Sequence, residues 1–151
     1  MTTALVADSS AAMRLAASQM LESLGFRVIV SGDAADTLSL ARELRPDLVL
    51  VDGRLETADG GLAVAAIRKI SNACLFHVSA DGGAAGVRSA MEAGADDYLV
   101  KPFDAALLRF KLAQARTRCR LRPENAWPRL VSDNSAGRAI LWQLQPFGRA
   151  I

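Results

Sequence analysis

Four residues of the chain carry side chains suited to phosphate chemistry and recur at one point of the hydropathy pattern: Asp8, Asp52, Ser79 and Lys101. Each stands just beyond a short apolar run. Two carboxylates brought together attract a hard cation such as Mg2+, which takes oxygen ligands and keeps several waters. A carboxylate can also act as a nucleophile and become an acyl phosphate. A lysine ammonium brings a point charge to a phosphate oxygen, and a hydroxyl brings a hydrogen bond. Such a set would transfer a phosphoryl group by positioning and charge neutralisation. One polar residue after a strand is ordinary, because loops are polar. Four of complementary chemistry at equivalent points are harder to assign to chance.

The elements that must position them alternate five times. Strands are expected at Ala4–Ala7, Arg27–Val30, Leu48–Val51, Cys74–Val78 and Tyr98–Val100, each short and apolar on both faces. That is the pattern of a parallel sheet covered by helices on both sides. The first helix is expected over Ala11–Leu24, with Met13, Ala17, Met20, Leu21 and Leu24 at helical spacing, Ser9 or Ser10 as cap and Gly25 as stop. The second runs from Ala34 to Leu44 and ends before Arg45-Pro46, since a residue preceding proline avoids the helical region. The third covers Gly61–Ile70 and the fourth Ala84–Ala93. The fifth starts behind Asp104 and carries Leu107, Leu108, Phe110 and Leu112 towards Cys119. Five such units in series imply right-handed crossovers and a flavodoxin-like, doubly wound α/β sheet, (βα)5, of strand order 2-1-3-4-5. In such sheets ligands bind beyond the carboxyl ends of the strands, where the four polar residues fall.

The chain has 151 residues, half of them apolar, a net charge of +2, and no apolar run near the ~18 residues of a membrane span. No secretory signal precedes the first strand, so a cytoplasmic protein without membrane association is expected. Cys74 and Cys119 lack metal-ligand spacing, and neither a disulfide framework nor a zinc site is expected of them. Six basic residues and no acidic one lie between Arg109 and Arg122. With no helix-turn-helix pattern behind them they read as a solvated helix face, and nucleic acid is not an expected partner. Residues 1–121 are expected to form one domain. Residues 122–151 form an extension, either an arm or the opening of a further domain. There Pro123, Pro128 and Pro146 interrupt the pattern, and Arg138–Leu144 is a strand candidate.

Around the four polar residues the chain resembles the receiver domains of two-component response regulators. The matching segments are Leu5-Val6-Ala7-Asp8-Ser9-Ser10, Pro46-Asp47 through Asp52-Gly53-Arg54-Leu55, Asp59-Gly60, Val78-Ser79-Ala80 and Gly94-Ala95-Asp96-Asp97-Tyr98-Leu99-Val100-Lys101-Pro102-Phe103. The last, with Lys-Pro-Phe behind a short strand, is the most specific. The resemblance implies that Asp52 accepts a phosphoryl group from a sensor histidine kinase or phosphotransfer protein. It implies Mg2+ held by Asp8, Asp52 and the backbone carbonyl of Arg54, with Lys101 on the acceptor and then on the phosphate. It implies a switch in which Ser79 turns to the phosphate and Tyr98 follows inward, reshaping the face of the fourth helix, fifth strand and fifth helix, a surface that also forms homodimers. It implies a cis bond before Pro102.

The family's pair of acids after the first strand is here Asp8-Ser9; sliding the register by one would make Ala7 the lost acid. A hydroxyl is a weak Mg2+ ligand, so Ser9 lowers the expected metal affinity. Glu56 and Arg54 are expected to be solvated, Asp81 to cap a helix, and His77 to be a packed strand residue. Two competing functions follow: a pseudo-receiver that binds partners without phosphorylation, and a DNA-binding regulator acting through its basic tail or a further domain. An independent enzyme is not expected, since the chain has no Walker A loop, dinucleotide-binding glycine turn or nucleophile elbow.

Overall fold

The computed structural model describes residues 2–119, 126–131 and 141–146. Five strands, β1 (Thr3–Ala7), β2 (Arg27–Ser31), β3 (Leu48–Asp52), β4 (Cys74–Ser79) and β5 (Asp97–Val100), form one parallel sheet in the order β2-β1-β3-β4-β5. The helices between and after them are α1 (Ala11–Ser23), α2 (Ala34–Leu44), α3 (Ala63–Ile70), α4 (Ala84–Glu92) and α5 (Ala105–Arg118). The expected doubly wound topology is therefore the observed one.

Alternation along the strands divides the apolar residues between two cores. Ala4, Val6, Leu48, Leu50, Phe76, Val78 and Leu99 face α1 and α5, where Leu21, Leu24, Leu108 and Leu112 meet them. Leu5, Ala7, Val49, Val51, Leu75 and Tyr98 face the other way, onto Ala41, Val64, Ile67 and Ala90 of α2, α3 and α4. Burial on both faces is what makes β3 and β4 near-continuous apolar runs. The exception is β2, an edge strand whose Arg27 and Val30 are exposed.

Local chemistry sets the helix ends. Ser10 accepts from the Met13 N–H, Asp33 from Asp36 and Asp104 from Leu107, each satisfying a donor that the first turn leaves open. Gly25, at φ 94°, ends the turn after α1. Arg45 takes the left-handed region at φ 45°, so the chain leaves α2 before Pro46 without the clash that a right-handed helical residue there would meet. The Lys101–Pro102 bond is cis, as the resemblance implied.

Two expectations need correction. Cys74 and Cys119 form a disulfide, their Cα atoms 5.9 Å apart across 45 residues of sequence. Sequence spacing concealed the pair, because β4 begins and α5 ends at the same amino-terminal edge of the sheet. In the extension, Pro128 lies inside a strand rather than between elements: β6 (Ala126–Val131) pairs antiparallel with β7 (Leu141–Pro146), Pro128 opposite Leu144. Each strand of a two-stranded ribbon is an edge, and an edge tolerates a residue without an N–H. The strand candidate at 138–144 is thus partly realised; residues 138–140, like Pro123, lie outside the described residues. Among the described residues, no helix is long and apolar enough to cross a membrane.

Candidate functional site

The carboxyl ends of four strands converge. Asp8 directly follows β1, Asp52 is the last residue of β3, Ser79 the last of β4, and Lys101 directly follows β5. Backbone pairing continues past the strand ends and fixes their positions. The Asp8 N–H donates to Ser31 O at 3.0 Å, Gly53 N–H to Val78 O at 2.8 Å, and Lys101 N–H to Ser79 O at 2.8 Å.

Lys101 joins the two acids. Its Nζ donates to Asp8 Oδ2 at 2.8 Å and to Asp52 Oδ1 at 3.4 Å, with Asp8 only 3 % and Asp52 2 % exposed. Asp8 also accepts from the Ser10 N–H at 2.8 Å, which ties the turn after β1 to the cap of α1. Ala7 is buried in the sheet core, so Asp8 is the acid that reaches the site. Asp52 accepts from the Arg54 N–H at 3.2 Å and from Ser9 Oγ at 3.4 Å. Ser9 therefore enters the site, but as a donor to Asp52.

Burial pushes the Asp52 carboxyl up, yet the Arg54 N–H and the charges of Lys101 and Arg54 outweigh it and hold the group below its ordinary 3.8. Arg54 extends into solvent as expected, but its Nε also stands 3.5 Å from Asp52 Oδ2. Glu56 is exposed, with its backbone bridged to Leu62.

Ser79 and Tyr98 meet at Asp81. Ser79 Oγ accepts from the Asp81 N–H at 3.0 Å, and the buried Tyr98 donates its hydroxyl to the Asp81 carbonyl. Asp81 accepts from the Gly83 N–H at 2.8 Å, the turn that starts α4. Its expected capping role is thus a turn just ahead of the helix.

One neighbour of Asp52 escaped the sequence. His77 is buried in β4 as expected, but its ring lies against Gly53 and stacks on Tyr98, with centroids 5.1 Å apart. A Cβ at residue 53 would stand 2.5 Å from His77 Nε2, so the glycine after Asp52 is the space the imidazole fills. His77 Nδ1 is buried without a hydrogen-bond partner, and burial depresses the ring's pKa against the opposing pull of Asp52. A glycine just beyond β3, two positions past the Val51 that pairs with the lone strand histidine, was the available signal. Lys111, assigned to a solvated basic face, instead pairs with the buried Asp97 at 3.1 Å.

A doubly wound parallel sheet with two buried acids and a lysine beyond the carboxyl ends of its strands defines a flavodoxin-like α/β protein with its polar cluster at the switch point. The family model of the response regulator receiver domain matches residues 4–113, and the chain belongs to that family. It is 36 % identical over 124 residues to "DNA-binding response regulator MtrA" of Mycobacterium tuberculosis (strain ATCC 25618 / H37Rv), covering 82 % of this chain and 52 % of the relative. It is 33 % identical over 121 residues to "Probable transcriptional regulator ycf27" of Guillardia theta, covering 80 % and 46 %. The chain thus spans about half the length of the curated relatives it matches. Among solved structures, the response regulator domain of Thermotoga maritima CheB superposes with a TM-score of 0.67 at 26 % identity, covering 82 % of this chain and 99 % of that one. The response regulator protein from Burkholderia pseudomallei with a phosphorylated aspartic acid shares the fold, with a TM-score of 0.65 at 20 % identity over 78 % and 73 %.

Proposed function

We propose that this receiver accepts a phosphoryl group on Asp52 from a phosphohistidine of a sensor histidine kinase or phosphotransfer protein. The observation that carries the reading is the ionised, nearly inaccessible Asp52 carboxylate, held 3.4 Å from Lys101 Nζ beside Asp8. In the transfer an Asp52 oxygen bonds to phosphorus as the donor's N–P bond breaks, and the donor imidazole keeps the electron pair. Lys101 offsets charge on the incoming oxygens.

Two buried carboxylates share one lysine ammonium, a donor set that fits a hard dication. Asp8, Asp52 and the Arg54 carbonyl would hold Mg2+, and Ser9 would add at most a neutral hydroxyl. The ion would supply charge neutralisation to the phosphoryl oxygens. Ser79 and Tyr98 are the switch pair of this reading. Met91, Val100, Leu107 and Phe110 expose apolar surface on α4, β5 and α5, which supports a contact face there for a partner or a second copy.

The test is mass spectrometry of wild type and Asp52→Asn treated with acetyl phosphate or phosphoramidate and Mg2+. An acid-stable, base-labile phosphoryl adduct on wild type alone is expected. No adduct even at high Mg2+ would favour the second reading, a phosphorylation-independent binding module, for which Ser9 in place of an acid is the specific support. The MtrA relatives, named as DNA-binding, are about twice as long, and DNA binding by this chain is not part of the proposal.

A further inference from the structure

We propose that Cys74 and Cys119 form a reversible redox couple, closed by a small-molecule disulfide, that fastens the end of α5 to the start of β4. The couple lies at the amino-terminal edge of the sheet, away from Asp52, and acts independently of phosphorylation.

The position of the bond gives it this role. It closes a loop of 45 residues whose contents are β4, α4, β5 and α5. One bond therefore encloses the whole side of the sheet beyond β3, including the exposed apolar residues of α4, β5 and α5. Cys119 is also the residue behind the last turn of α5, where its N–H donates to Ala115 O at 2.8 Å. The bond thus holds the point from which the chain continues towards β6.

Access to the two sulfurs is unequal, and this orders the chemistry. Cys74 is 1 % exposed at the root of β4, whereas Cys119 is half-buried at the helix end. The Cys119 thiolate attacks a small disulfide, one thiolate leaves, and a mixed disulfide remains on Cys119. The Cys74 thiol then loses its proton, and its sulfur displaces the second small thiolate from Cys119. Two protein thiols are oxidised and one small disulfide is reduced to two thiols.

The surroundings favour the closed form. A strongly oxidising couple needs a stabilised thiolate. Here the carbonyl end of α5 and an Asp96 carboxylate oxygen, within 4.8 Å of both sulfurs, disfavour negative charge on sulfur. Arg68 donates to Asp96 Oδ2 at 2.7 Å and holds that carboxylate in place beside the bond.

The experiment uses the full chain. Protein equilibrated with glutathione disulfide is alkylated with iodoacetamide and weighed intact, before and after dithiothreitol. No adduct before reduction and two after are expected. Hydrogen exchange then compares the oxidised, reduced and Cys119→Ser forms. Reduction and Cys119→Ser should each accelerate exchange in the last turns of α5 by roughly tenfold or more, and leave β1 and β3 unchanged. Cys74→Ser, which leaves Cys119 accessible, should take up one glutathione. Two adducts before reduction would overturn the proposal, as would exchange in α5 that ignores the redox state. So would a co-purifying zinc ion that shields both thiols until a chelator removes it, which would make Cys74, Asp96 and Cys119 a metal site instead.

Discussion

Replacing Gly53 with alanine tests whether the residue after Asp52 is glycine because His77 needs its space. The added Cβ would stand 2.5 Å from His77 Nε2 and 3.0 Å from Cε1, about 1 Å inside ordinary contact. The ring has little room to retreat, since it is buried and stacked on Tyr98. Overpacking of this kind costs about 1–3 kcal/mol. Loss of glycine's freedom in the unfolded chain returns about 0.4–1 kcal/mol. The net expectation is ~1–2 kcal/mol of destabilisation, or a Tm lower by roughly 3–6 °C for a domain of this size. His77→Ala alone leaves a cavity and should cost about 2–4 kcal/mol. In the double variant the new methyl enters that cavity, so the two losses should fall short of their sum by about 1–2 kcal/mol. Urea denaturation of the four proteins measures the cycle. Additivity within about 0.5 kcal/mol would refute the steric coupling.

His77 is the only histidine of the chain and its pKa is depressed from 6.5, so the unfolded chain takes up a proton near pH 6.5 that the folded chain refuses. Stability should therefore fall between about pH 7 and pH 5, by at most about 1.4 kcal/mol per pH unit, and His77→Leu should flatten that limb; equal slopes in the two proteins would contradict the assignment. Asp52 works in the opposite window: its lowered pKa contributes stability above the ordinary 3.8 that is lost as pH falls through the folded value. Lys101→Met should raise the Asp52 pKa, read from its carboxyl carbon by NMR, and an unmoved titration would show that the lysine is not what holds the acid ionised. Arg68→Ala removes hydrogen bonds to the carbonyls of Gly94, Ser71 and Ala73 and to Asp96, at 3.0, 3.2, 3.1 and 2.7 Å. It should cost about 2–4 kcal/mol in urea denaturation, and a loss below about 0.5 kcal/mol would mean that water replaces the guanidinium without penalty.

The sheet was legible because burial on both faces leaves β3 and β4 no choice but continuous apolar runs, and because loop chemistry at Ser10, Gly25, Arg45-Pro46 and Asp104 marks the helix ends. The Asp8, Asp52, Lys101 cluster was legible for a topological reason: once the strands are parallel, their following residues share one edge. Contacts whose partners are separated in sequence, and whose residue types are commonplace, were not. Nothing in Arg68 announces a guanidinium that gathers three backbone carbonyls. The disulfide needs the end of a helix and the start of a strand to coincide at the opposite edge. Lys111 belongs by composition to a basic run, yet packing turns it inward to Asp97. Ser79 stands where its strand places it, but which partner its hydroxyl takes depends on a turn at Asp81 that residue type does not dictate.

The Lys101–Asp8 ion pair spans 93 positions, close to the full length of the sheet domain. During synthesis Asp8 leaves the ribosome more than ninety residues ahead of its lysine partner. β5 docks only on β4, so the ammonium reaches the two acids only after every intervening strand has been laid down. A nascent or truncated chain that stops short of β5 presents two unneutralised carboxylates and no finished pocket. The lysine at the far end of the domain is thereby the last charge set in place, and the polar cluster is finished only when the whole sheet is.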